Sequence, residues 1–103
     1  MNLKLTNAEM ESLCAKLNQA VDYYERLKEE NILEPEDALL KAALEEFWRK
    51  LEKKKIDHQT SYTLEMKPTW AFAVLLQWQG HFDATHAGNL LHGICNRIDK
   101  EYA

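Results

Sequence analysis

Residues 62–80, YTLEMKPTWAFAVLLQWQG, decide the fold of this chain: an alternating run, a proline, then an almost wholly apolar segment. From Tyr62 to Lys67 the period is two, with Tyr62, Leu64 and Met66 pointing one way and Thr63, Glu65 and Lys67 the other, which is the pattern of a half-buried strand. Pro68 suits the first turn of a helix. From Trp70 to Trp78 only Gln77 is polar, so that helix is expected to be covered on nearly all sides and to end near Gly80. At about 1.5 Å per residue it is far too short to span a bilayer.

A lone strand leaves its ladder groups unpaired. Asn2-Leu3-Lys4-Leu5 shows the same alternation, so the partner of residues 62–66 is either this segment or the same strand in a second copy. Thr6 and Glu9 then form a capping box, and Met10, Leu13, Leu17, Ala20, Val21, Tyr24 and Leu27 recur at helical steps to about Glu30. Pro35, with Glu36 and Asp37 beside it, opens a second helix whose inward stripe is Leu40, Ala43, Leu44, Phe47 and Leu51. The short link at Asn31 to Leu33 implies an antiparallel hairpin of the two helices. Four-residue pairs Glu45–Arg49 and Glu46–Lys50 are expected on its surface. Beyond Gly80, Asp83 or Thr85 caps a fourth helix with the stripe Ala87, Leu90, Leu91, Ile94 and Ile98, extended by Tyr102. Gly88 and Gly93 within it suggest close approach of a bulky neighbour. The expected fold is therefore mainly α, α+β at most: one domain over residues 1–103, a four-helix arrangement with a minimal two-stranded sheet in the order β-α-α-β-α-α.

With 103 residues, 46% hydrophobic, 29% charged and only three Gly and two Pro, the composition is that of a soluble globular domain rather than a disordered chain. No apolar leader core opens the sequence, and a cytoplasmic location without membrane attachment is expected. The small size suggests a bacterial or phage source. Charge is segregated: residues 1–47 carry eleven acids and five bases, residues 48–67 six bases and three acids, within a net charge of −4. An acidic total disfavours general nucleic-acid binding.

Three constellations invite a chemical reading. His81, Asp83, His86 and His92 resemble metal ligands, but His86 and His92 fall about 240° apart on a helix and no HExxH or CxxC accompanies them, so no metal or cofactor is expected. Cys95 has His92 three residues earlier, yet Cys14 and Cys95 both sit in apolar stripes, where burial suppresses the thiolate. The basic run Arg49, Lys50, Lys53, Lys54 and Lys55 is the best nucleic-acid candidate, although helix ends gather lysines for dipole reasons alone. Tyr62, Leu64, Met66, Trp70 and Trp78 are the candidate interface, because four helices and two strands can hardly enclose the third helix on every side. The expectation is a non-catalytic protein–protein interaction or regulatory module, forming a homodimer or larger homo-oligomer with a further protein partner. A small metal-binding protein or enzyme using His81 to His92, and a nucleic-acid-associated regulator using Arg49 to Lys55, are the alternatives.

Overall fold

In the computed structural model, which describes residues 1–79 and 85–102 (His86 and Ala87 by backbone alone), the two alternating segments find each other within the chain. β1 (Asn2–Thr6) and β2 (Ser61–Glu65) pair antiparallel with Leu3 opposite Leu64 and Leu5 opposite Tyr62, so the four apolar side chains share one face. That face is buried and the other is solvated, as the period-two pattern requires.

α1 (Asn7–Glu29) leaves β1 directly. Thr6 Oγ1 accepts from the Glu9 N–H at 3.1 Å and Glu9 returns a carboxylate oxygen to the Thr6 N–H at 2.9 Å, the capping box read from the sequence. The helix stops in a Schellman turn. Asn31 takes φ 58°, its N–H donates to Lys28 O at 3.1 Å, and the Ile32 N–H donates to Leu27 O at 3.0 Å. Asparagine tolerates this left-handed conformation, which a β-branched residue resists.

α2 (Pro35–Lys55) then runs back along α1. Lys41 pairs with Glu25 at 2.8 Å and Lys55 with Glu11 at 3.4 Å, one antiparallel register along the hairpin. Leu44, Phe47 and Leu51 are buried, with Leu40 and Ala43 packed against them. After β2, α3 (Pro68–Trp78) crosses the hairpin and α4 (His86–Tyr102) closes the core with Leu91, Ile94, Cys95 and Ile98. Thr85 caps α4 by accepting the Gly88 N–H at 3.0 Å, while Asp83 lies outside the described residues. The buried cluster draws on all six elements. Gly93 is not explained by a close neighbour: a methyl group built there would meet nothing within 4 Å.

Candidate interaction surfaces

α3 divides into two faces. On the inner one, Trp70 stacks on Phe47 with ring centroids 5.2 Å apart and planes 23° off parallel, and its Nε1 donates to Glu46 Oε1 at 3.0 Å. Lys67 Nζ donates to that same oxygen at 2.9 Å and lies 5.0 Å from the Trp70 ring centre. The ammonium, helped by the indole N–H, holds the Glu46 carboxyl below its ordinary range. Further along, Tyr24 donates its hydroxyl to Gln77 Oε1 at 2.6 Å, so the one polar residue of the apolar run is consumed inside.

The outer face is open. Phe72 is 49% exposed and Leu76, one turn on, is 76% exposed, so the helix is not covered on nearly all sides as its composition suggests. The half-buried Tyr102 meets Phe72 edge-on at 5.6 Å. A helical projection separates the two faces without saying which is buried: Phe72 and Leu76 fall about 200° and 240° from Trp70, opposite the Trp70–Val74–Trp78 side.

This moves the candidate interface. Tyr62, Leu64, Met66, Trp70 and Trp78 are all buried in the chain's own core, because the other elements, α4 included, cover them. Each sheet edge also has a carbonyl taken by a cation. Lys54 Nζ donates to Thr63 O at 3.0 Å on the free side of β2, and Arg97 donates to Lys4 O at 2.6 Å on the free side of β1 while pairing with Glu9. Cations placed on both edges work against the addition of a further strand.

The basic run divides between cations that pair within the chain and cations that do not. Arg49 is held by Glu45 at 2.5 Å, Lys54 by the Thr63 carbonyl, and Lys55 by Glu11 at 3.4 Å and Glu52 at 3.8 Å. The Glu46–Lys50 pair does not form, because Glu46 reaches Lys67 instead. Lys50 and Lys53 make no ion pair among the described residues; together with Arg49, Lys67 and Trp70 they line a shallow cleft of about 590 Å³ beside α2.

The remaining candidates show little chemistry. His81 and Asp83 lie outside the described residues, His86 begins α4 and His92 is exposed on it; among the described residues no three His, Cys, Asp or Glu side chains converge as metal ligands. Both cysteines are buried and free. Burial pushes the Cys14 thiol up to about 12 and the Cys95 thiol up to about 11, the wrong direction for a nucleophile. The Trp48 Nε1, buried beside Cys14 in a smaller cleft between α1 and α2, has no hydrogen-bond partner. No described helix is long and apolar enough to cross a membrane. Comparison with protein-family models, with curated proteins and with solved structures gives no match to this chain.

Proposed function

We propose that this chain is a non-catalytic protein–protein interaction module, cytoplasmic and self-associating, whose outer α3 face docks a partner protein. The observation that carries this reading is the exposure of Phe72 and Leu76 on the most apolar helix of the fold. Surface aromatic and aliphatic side chains set one turn apart are the usual anchors of a docking face, and each Å² they bury on a partner is worth about 25 cal/mol before the costs of association. Depressed thiol reactivity at Cys14 and Cys95 supports a non-catalytic role over nucleophilic chemistry. Nucleic-acid binding is less well supported, since Arg49, Lys54 and Lys55 already serve acceptors of the chain itself.

Affinity capture from the native host with wild-type and Phe72→Ser/Leu76→Ser baits tests the reading. Both substitutions lie at the surface, so the fold should survive while the specific partner is lost. An identical set of captured proteins from the two baits refutes the α3 docking face.

A further inference from the structure

The geometry points to the outer face of α2 as a self-complementary surface on which a second copy of this chain docks antiparallel, the acidic start of each helix against the basic end of the other. This deepens the interaction-module reading and rests on it only in taking protein as the partner. Glu34 and Glu36 at the start of α2 are exposed and make no ion pair among the described residues, and the same holds for Lys50 and Lys53 near its end. Glu36 and Lys50 stand about 21 Å apart along the axis, so they cannot satisfy each other within one chain.

The helix dipole accounts for the sign of the charge at each end. It does not account for Leu39, which is 75% exposed in the second turn with Ala38 and Ala42 open beside it. Ala42 forms a low ridge between two clefts, the basic one and a second of about 400 Å³ lined by Ala38, Leu33 and Lys41. Small side chains on a ridge flanked by hollows let another helix approach closely, and its side chains enter the hollows.

A two-fold axis crossing near Ala43 brings Glu36 of each copy to Lys50 of the other and, with the same centre, Glu34 to Lys53. The two copies of Ala42 then meet close to the axis, and Leu39 comes level with the partner's Glu46 and Lys50, whose aliphatic stems withdraw it from water. The symmetric arrangement satisfies both charged ends at once and closes. A head-to-tail contact would leave one acidic and one basic end free and keep adding copies. An acidic segment of an unrelated protein would use the basic end alone, leaving Leu39 and the acidic end uncovered. Charge pairs of this rim type set register and partner choice, while Leu39 and the alanines supply the apolar contact.

Light scattering after gel filtration, with full-length protein at tens of micromolar in low salt, tests the proposal through a charge exchange. Wild type should run at the dimer mass. K50E/K53E and E34K/E36K should each fall to the monomer mass with unchanged helix content by circular dichroism, and an equimolar mixture of the two should return to the dimer mass. Phe72→Ser/Leu76→Ser should remain a dimer, which separates failure of this interface from failure of the α3 docking face. K50Q/K53Q, which adds no repulsion, should dimerise more weakly and lose the salt dependence of the wild type. A monomeric wild type, reversal variants that keep the dimer mass, or a mixture that stays monomeric overturns the proposal; the last result would mean that the basic end meets some other acidic partner.

Discussion

The two faces of α3 are built from the same kinds of residue and do opposite things. Trp70, Val74 and Trp78 are buried, and Trp70 has every polar and aromatic need met by Phe47, Glu46 and Lys67. Phe72 and Leu76, equally apolar, face outward, with Tyr102 edge-on against Phe72. Composition alone does not divide them. What does is the supply of neighbours: α2 and α4 pack against α3, while Phe72 and Leu76 stay exposed, and an exposed apolar side is a surface for another molecule.

The largest effect is expected from removing the support of the inner face. Phe47→Ala empties a fully buried site against Trp70 and should cost about 3 to 5 kcal/mol in denaturant melts. A loss under about 1 kcal/mol would mean that the inner face can repack and is no different from the outer one.

Tyr24→Phe removes the hydroxyl that Gln77 accepts and should cost about 1 kcal/mol by the same melts. No loss would detach the end of α3 from α1.

Glu46 gives a smaller and pH-dependent effect. Its folded carboxyl is held below the ordinary range by Lys67 and then Trp70, so its contribution to stability is present above the unfolded carboxyl's range and fades as pH falls through the folded value. Stability measured against pH should therefore show wild type and Glu46→Gln separated near neutrality and converging in acid. Curves that stay parallel would show that the Lys67–Glu46–Trp70 group does not hold the carboxylate. At the outer face, Leu76→Ser should change stability by no more than about 0.5 kcal/mol, and a larger loss would place Leu76 in a packed environment.

Much of the fold was legible because each element carries a local signal. The alternation at 62–66, the capping box at Thr6 and Glu9 and the prolines at 35 and 68 each act within a few residues, and the observed elements follow them closely. The alternation at residues 2–5 offered one of two strand partners, and only the structure chooses it over the same strand in a second copy. The surfaces were less legible. A helix with almost no polar residue has no amphipathic phase to show which side stays bare, so Phe72 and Leu76 looked as buried as Trp70. Likewise Glu46 had Lys50 one turn away but took Lys67 from across the fold, and Lys54 and Arg97 found strand carbonyls that no sequence spacing relates to them. Contacts between distant segments decided which cations of the basic run were spent on the fold and which, Lys50 and Lys53, make no ion pair among the described residues.

The division of α3 is tested most directly by denaturant melts of Trp70→Ala and Phe72→Ala measured side by side. Trp70→Ala should lose about 3 to 5 kcal/mol by emptying a core site, whereas Phe72→Ala should lose about 1 kcal/mol, mostly its edge-on contact with Tyr102. A gap of about 2 kcal/mol or more is the expected result. Equal losses at the two positions would contradict the account, because Phe72 would then belong to the core and α3 would have no face to offer a partner.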